Sequence, residues 1–199
     1  MLHSVLADIL ANQKIFKLPI LRGRKHPVVV AYALVRDDNF GRSLKKRVWS
    51  LDGHGYPRTV VKTAGGKWKI FSLHHIIYRR YHGHLPDGKE VDHRDRDPLN
   101  SLPTNLRAVT RSFNKANGGT NARNSSGFKC VCRHRDKRSG RQTWRARVSR
   151  HRKCVVDKTF PGTEQGWRDA AKEVNRSYET HFPEIAVPNP DWATKPYPF

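Results

Sequence analysis

Hydrophobic and polar residues alternate in three short runs of the C-terminal third, which predicts three β-strands. The runs are FKCVCRH, TWRARVSR and CVVDKTF, and the turn DKRSGRQ carries a glycine between the first two. From Thr163, a plausible helix N-cap, the hydrophobic period changes to 3.6. One apolar helical stripe then consists of Trp167, Ala170, Ala171, Val174 and Tyr178. We therefore predict an antiparallel three-stranded sheet packed against one helix.

The N-terminal half combines strand-like and helix-like patterns. Apolar runs alternate with glycine-containing turns over residues 27–71, which predicts a strand-rich segment. The next stretch, SLHHIIYRRYHG, places four apolar side chains on one helical face: Leu73, Ile76, Ile77 and Tyr81. KEVDH and NLRAVT then predict a pair of strands joined by the loop RDRDPLNSLPT. RSFNKAN predicts a short helix capped by Thr110.

These patterns predict an α+β protein with five segments. The N-terminus has apolar residues at helical spacing (Leu2, Val5, Leu6, Ile9 and Leu10), so we expect an amphipathic docking helix. GGTNARNSS has the composition of a linker, and the proline-rich and aromatic tail is either disordered or laid across the surface. The predicted segments are the N-terminal helix 1–21, the strand-rich and hairpin-bearing region 22–117, the linker 118–126, the sheet-and-helix domain 127–182 and the tail 183–199.

The net charge of the chain indicates the kind of partner that the protein binds. There are 39 lysine and arginine residues against 17 acidic ones, and the formal net charge is +22. Such an excess favours a polyanionic partner, and nucleic acid is the leading candidate. The chain has no apolar run of the ~20 residues that span a membrane and no signal-peptide pattern, so we expect a cytoplasmic protein. Its three cysteines fit neither a disulfide framework nor a cysteine zinc site.

Four polar residues around the predicted hairpin suit phosphodiester hydrolysis, which needs an activated water and positive charge near the phosphate. His93, with an ordinary pKa of about 6.5, accepts a proton near pH 7. The side chains of Asp92 and Asn114 offer oxygen ligands for one Mg²⁺ or Mn²⁺ ion. Neighbours on a strand face opposite sides, so Asp92 and His93 converge only if the strand bends as it enters the loop. The amide of Asn105 suits tying that loop down.

These residues resemble the HNH endonucleases, which are built on a ββα-metal core. His93 matches the first letter, Asn105 the middle asparagine and Asn114 the third position, where many phage and intron members carry asparagine. The order of LH, VDH and NLRAVT is similar to the phage homing-type branch. The resemblance implies that His93 is the catalytic base, that Asp92 and Asn114 bind one divalent metal ion and that Asn105 orders the loop. It also implies that His74 orients the site or contacts DNA phosphate.

The C-terminal segment resembles the plant ethylene-response-factor type of DNA-binding domain. In its second strand Trp144, Ala146 and Val148 alternate with Arg145, Arg147 and Ser149, so one face packs on the helix and the other is exposed. Exposed arginines suit a sheet that lies in the major groove. For the first strand, hydrophobic alternation points Phe128, Cys130 and Cys132 inward, whereas the family pattern buries Val131. The candidate DNA-binding residues here are Arg145, Arg147, Arg133, Lys129 and His134.

Together these features predict a site-specific, metal-dependent endonuclease that acts on double-stranded DNA and needs no small-molecule cofactor. The products would carry 5′-phosphate and 3′-hydroxyl ends. The alternative is a DNA-binding regulator with an inactive nuclease core. An RNA-binding role is disfavoured, because the sequence lacks the aromatic stacking motifs that are common among single-strand binders. The target sequence, the oligomeric state and the choice between nicking and double-strand cutting stay open.

Overall fold

The computed structural model describes residues 14–23, 25–121, 123–136, 139–150, 153–185 and 188–198. It shows an α+β protein with small antiparallel sheets, as predicted. The chain divides into two compact units, Met1–Arg111 and Ser112–Phe199. The sequence predicts the boundary at residues 118–126, whereas the observed division falls inside a short helix that precedes them.

Among its described residues, the first unit contains three small sheets, two α-helices and two 3₁₀ turns, and a further helix begins at its last residue. The first sheet pairs β1 (Ile15–Arg22) with β2 (Val28–Arg36). After α1 (Asn39–Ser43) and a 3₁₀ turn, the second sheet has the order β3 (Ser50–Leu51), β4 (Pro57–Lys62) and β5 (Trp68–Ser72). Helix α2 (Leu73–His82) leads into the hairpin of β6 (Lys89–His93) and β7 (Leu106–Thr110), and α3 (Arg111–Asn117) follows.

Residues 15–21, predicted as the end of an N-terminal helix, instead form most of β1. The reason is that Leu18 and Ile20, which are fully buried, alternate with more exposed neighbours, a strand period that outweighs the helical one upstream. Antiparallel pairing with β2 satisfies the backbone of the segment. The apolar residues Leu2 to Leu10, on which the helix prediction depends, lie outside the described residues.

The core of the first unit joins the first sheet, α2 and the hairpin. Leu18, Leu73 and Ile77 are fully buried within it, and Val91 and Leu106 bring in the two hairpin strands. Burying an apolar side chain of this size contributes about 1.5–3 kcal/mol. The hairpin that bears the candidate catalytic residues is therefore packed into this core.

The second unit has the predicted three strands and one helix. They are β8 (Val131–Arg135), β9 (Gln142–Arg150), β10 (Lys153–Pro161) and α4 (Glu164–His181), with β9 in the centre of the sheet. The hydroxyl of Thr163 accepts a hydrogen bond from the Gly166 N–H and caps α4, as predicted. All five residues of the predicted apolar stripe of α4 are buried in one core with Trp144, Ala146 and Val148.

The first strand of this sheet begins later than its sequence pattern suggests. Cys130 has a φ of 60°, in the left-handed region that non-glycine residues seldom adopt, so regular alternation is broken before β8. Phe128 and Val131 are both buried, whereas Cys132 is exposed. The expectation that Cys132 points inward is therefore wrong, and the alternative with Val131 inward is correct.

The predicted linker and the C-terminal tail are both anchored in the second unit. Ser126 is buried, and its carbonyl oxygen accepts a hydrogen bond from the Trp167 indole N–H at 2.9 Å. In the tail, the Asn189 N–H donates to the Asn175 Oδ1, and the Asn175 Nδ2 donates to the Asn189 carbonyl oxygen. The ring of Tyr197 packs against Trp167. Of the two alternatives for the tail, packing across the surface is observed for its described residues.

Within the described part of the chain, no helix is long and apolar enough to cross a membrane.

Candidate active site

The β6–β7 hairpin places two candidate residues at the end of a strand. The strands pair in regular register through all five residue pairs, with Asp92 opposite Arg107 and His93 opposite Leu106. The chain bends directly after His93, where the Arg96 N–H donates to the His93 carbonyl oxygen at 3.1 Å and Arg96 has a φ of 68°. The bend expected where the strand enters the loop therefore follows His93 and does not separate it from Asp92, so the two neighbours keep the opposite facing of a regular strand. Both side chains are buried.

The side chain of Asn105 holds the loop that follows His93. Its Nδ2 donates to the Asp95 Oδ1 at 2.8 Å and to the Asn100 carbonyl oxygen at 2.7 Å. Its Oδ1 accepts from the Asp95 N–H at 3.1 Å, and its carbonyl oxygen accepts from the Arg94 N–H at 2.9 Å. These are loop groups beyond the paired strands, the kind of partner that the sequence predicts for this amide.

The same loop is fastened to two other elements of the first unit. The Leu34 N–H in β2 donates to the Leu99 carbonyl oxygen at 2.8 Å, and the Ser101 N–H donates back to the Leu34 carbonyl oxygen at 2.9 Å. At the end of α2, the His82 Nε2 lies 2.8 Å from the Pro103 carbonyl oxygen. The loop is thus attached along its length, which limits the movement of the strand end that bears His93.

Two other rings surround the imidazole of His93. The ring centroids of His74 and Tyr56 lie 5.2 Å and 5.7 Å from that of His93. Burial lowers the pKa of His93, while the negative charges of Asp95, Asp92 and Asp97 oppose that change. The net effect favours a neutral imidazole at pH 7, which is the form that accepts a proton.

His74 is buried more completely than its sequence position indicates. Only 8% of it is exposed, and its Nδ1 is buried without a hydrogen-bond partner in the described structure. Burial, followed by the proximity of His75 and His93, lowers the pKa of His74 to about 3, against a small opposing effect of Asp52. His74 is therefore uncharged at neutral pH and cannot contact a phosphate as a cation. It lies at the site, where it packs against His93.

Asp92 is held in a buried ion pair that the sequence reasoning did not identify. The Arg107 Nε donates to the Asp92 Oδ2 at 2.8 Å, and the two side chains are only 10% and 5% exposed. Removing one partner of such a pair commonly costs about 3–5 kcal/mol, because the other charge stays buried. The register of the two predicted strands could have identified Arg107, since it pairs directly with Asp92.

The donor atoms of the site fit a loosely held hard cation. The described residues contain no group of three or more histidine, cysteine or acidic side chains able to enclose a metal ion. A carboxylate has lone pairs beyond the one that Arg107 uses, so Asp92 can serve as an oxygen ligand. Mg²⁺ usually keeps several waters and takes one or two carboxylates plus substrate phosphate. The site suits that mode of binding.

Asn114 is in the second unit, in helix α3 directly after β7. Phe113 and Ala116 of the same helix pack against the core of that unit. The metal-binding role of Asn114 therefore stays a prediction from the resemblance.

The outer face of the C-terminal sheet carries three of the predicted DNA-binding residues. Arg145 and Arg147 share this face with Asp157, and His134 joins them through its pairing with Thr143. Arg145 donates two hydrogen bonds to Asp157, at 2.5 Å and 2.6 Å. Arg147 is 59% exposed and its Nε lies 3.8 Å from the same carboxylate. Arg147 is thus the more accessible of the two arginines.

Two other predicted DNA-binding residues are placed elsewhere. Arg133 pairs with Trp144 on the opposite face, and its guanidinium lies 5.6 Å from the Trp144 ring centroid. The Lys129 ammonium donates hydrogen bonds to the backbone carbonyl oxygens of three residues around the end of α3: Lys115, Ala116 and Gly118. The left-handed Cys130 accounts for the position of Arg133, because it reverses which residues of the following strand face outward.

The burial of His74 predicts a specific pH dependence of stability. Unfolded His74 binds a proton near pH 6.5, but folded His74 does so only near pH 3, so acid favours the unfolded state. Between pH 7 and pH 5 the parent should lose about 2 kcal/mol more unfolding free energy than His74→Leu, as measured by urea denaturation. The exposed-histidine variant His26→Leu should behave as the parent does. An equal loss in the parent and His74→Leu would contradict this account.

Comparison with known proteins agrees with this geometry. The family model described as HNH endonuclease matches residues 71–116. DNA endonuclease I-HmuI of Bacillus phage SP01 is 35% identical over 77 residues, 39% of this chain and 42% of that protein. An uncharacterized HNH endonuclease of Acanthamoeba polyphaga mimivirus is 31% identical over 147 residues, 73% of this chain and 68% of the relative. The chain thus spans less than half of the phage enzyme, and no solved structure matches. The chain belongs to the HNH endonuclease family.

Proposed function

We propose that the protein is a site-specific, metal-dependent endonuclease of the homing type that hydrolyses double-stranded DNA. The observation that carries this proposal is a buried imidazole, His93, at the end of a hairpin strand, directly after the buried Asp92 in the chain. The net charge of +22 supports DNA as the substrate. The phage relative is named a DNA endonuclease, which agrees with this choice.

In this proposal His93 is the general base. Burial lowers its pKa, so at pH 7 the imidazole is neutral and takes a proton from the attacking water. The oxygen of that water bonds to phosphorus, the bond from phosphorus to the 3′ oxygen breaks, and the 3′ oxygen takes up a proton from solvent. The products then carry 5′-phosphate and 3′-hydroxyl ends. Asn105 acts through the loop, since its hydrogen bonds to Asp95 and Asn100 fix the backbone that follows His93.

One divalent ion, Mg²⁺ or Mn²⁺, is the proposed cofactor. A bound ion would offset the negative charge that builds up on the phosphate and on the leaving oxygen. Asp92 supplies the carboxylate ligand, and the hydrogen bond from Arg107 holds that carboxylate in one orientation. Asn114 is proposed as a second oxygen ligand on the resemblance alone.

The second unit is proposed to choose the DNA site, as an ethylene-response-factor-like domain. The three-stranded sheet with a helix on one face supports this likeness, since its other face bears Arg145, Arg147 and His134. Arg147 is the proposed base reader, because it is exposed and only loosely paired. In this proposal His74 is a neutral neighbour of His93. Lys129 and Arg133 do not belong to the DNA-reading face. The phage relative supports action in the host cytoplasm.

The ion pair between Asp92 and Arg107 favours one alternative, a DNA-binding regulator whose nuclease core is inactive. In that case the carboxylate would be permanently occupied by the guanidinium. Incubation of duplex DNA with the parent protein and Mg²⁺, with and without EDTA, separates the two functions. Cutting that EDTA abolishes supports the endonuclease, whereas tight binding without any cutting supports the regulator.

Replacing His93 tests the proposed base directly. His93→Ala should lower the single-turnover cutting rate by about 10²–10⁴-fold, the contribution of a general base, because the imidazole that takes the proton is removed. Affinity for the same duplex, measured by fluorescence anisotropy, should stay unchanged. His26→Ala, an exposed histidine in the first unit, serves as the matched control and should cut like the parent. An active His93→Ala protein would remove His93 from the mechanism.

Replacing Arg147 tests the proposed reading face. Arg147→Ala should reduce the preference for the specific site over other DNA by about 1–3 kcal/mol, the value of one bidentate arginine–base contact. Competition binding at fixed salt measures this preference. The control Arg176→Ala removes an exposed arginine from α4 instead of the sheet and should leave the preference intact. Equal losses in both variants would indicate nonspecific phosphate attraction rather than base reading.

A further inference from the structure

We propose that Tyr56 is a positioning residue for His93. The rings of Tyr56 and His74 together fix the orientation of the His93 imidazole. This inference rests on the proposed function, in which His93 is the base. Tyr56 lies 37 positions before His93 in the chain and outside the residues matched by the family model. The sequence gives no signal for its role.

The three rings form a closed triangle. The centroid of Tyr56 lies 5.7 Å from His93 and 5.2 Å from His74, and the His74 and His93 centroids are also 5.2 Å apart. The angles between ring planes are 43°, 56° and 67° for the pairs Tyr56–His93, Tyr56–His74 and His74–His93. Such distances and tilted geometries are those at which ring pairs attract each other.

A general base needs this kind of support because its own backbone does not orient the ring. The second side-chain torsion of histidine has broad wells, so packing has to select the ring plane. His93 is the last residue of β6, where pairing with β7 ends and the loop begins. Contact with two other rings therefore supplies an orientation that the strand alone does not.

Tyr56 is itself held firmly by a tight turn before β4. The Asp52 Oδ1 accepts hydrogen bonds from the N–H groups of His54 and Tyr56, at 2.8 Å and 2.9 Å. The Asp52 N–H donates to the Tyr56 carbonyl oxygen at 2.9 Å. Gly55 has a φ of 84°, which glycine adopts without strain. The turn thus fixes the backbone from which the Tyr56 ring reaches His93.

The phenol also suits a site that must keep its charges unchanged. Burial raises the pKa of Tyr56, and the negative charges of Asp92 and Asp52 raise it further. The side chain is therefore uncharged at neutral pH. In this account the ring contributes the effect, and the hydroxyl is dispensable.

Cutting rates of two Tyr56 variants test the proposal. Tyr56→Leu should lower the single-turnover rate about 10- to 100-fold, the range expected when a reacting group is misplaced. DNA affinity should be unchanged, and Tyr56→Phe, which keeps the ring, should restore most of the rate. Tyr32→Leu, which removes an exposed tyrosine of β2, is the matched control. The proposal is overturned if Tyr56→Leu cuts like the parent, or if Tyr56→Phe is as slow as Tyr56→Leu.

Proton–carbon NMR spectra of the histidine rings give a second readout that is independent of cutting. The His93 signal is identified by its absence from His93→Ala. It should shift in Tyr56→Leu, because the ring current of Tyr56 is lost, and stay in place in Tyr56→Phe and Tyr32→Leu. An unmoved His93 signal in Tyr56→Leu overturns the positioning role, even if the parent proves inactive and the endonuclease proposal fails. If Tyr56→Leu does not fold, Tyr56→Met removes the ring in the same way.

Discussion

The amide of Asn105 is the constraint on which the candidate site depends. It donates to Asp95 and to the Asn100 carbonyl oxygen and accepts from the Asp95 N–H, so one side chain closes a loop that lacks regular pairing. An alanine there would leave several buried or half-buried polar groups without partners, at about 1–3 kcal/mol each. Because His93 lies where this loop begins, the position of the proposed base follows from the closure of the loop.

Burial gives the two neighbouring hairpin residues opposite electrostatic roles. Burial lowers the pKa of His93, so the ring is neutral at pH 7. Asp92 is also buried, but it is paired with Arg107, and a buried carboxylate without such a partner would be costly. In the proposed mechanism the first of these residues is the base and the second is the metal ligand. The regular β6–β7 register produces both without special backbone strain at either residue.

Local sequence patterns predict the strands and helices of this protein better than they predict which distant residues contact each other. The helical stripe from Trp167 to Tyr178 and the hairpin around His93 are visible because hydrophobic spacing records which face is buried. Hydrophobic spacing does not reveal the left-handed backbone of Cys130. It therefore leaves open which residues of the first C-terminal strand point inward. Tyr56 could not be found because ring packing joins residues far apart in sequence. The partner of Asp92 can be predicted, because the register of the two strands alone places Arg107 opposite it.

The most direct test of the account is the cutting rate of Asn105→Asp. This change keeps the shape of the side chain but places an oxygen, in place of the donating NH₂, against the Asp95 carboxylate and the Asn100 carbonyl oxygen. The account predicts a loss of about 100-fold in single-turnover cutting of duplex DNA, with affinity retained, because the loop opens and His93 is misplaced. Asn121→Asp adds the same charge at an exposed position and should cut normally. Parent-like cutting by Asn105→Asp would contradict the claim that this amide positions the site.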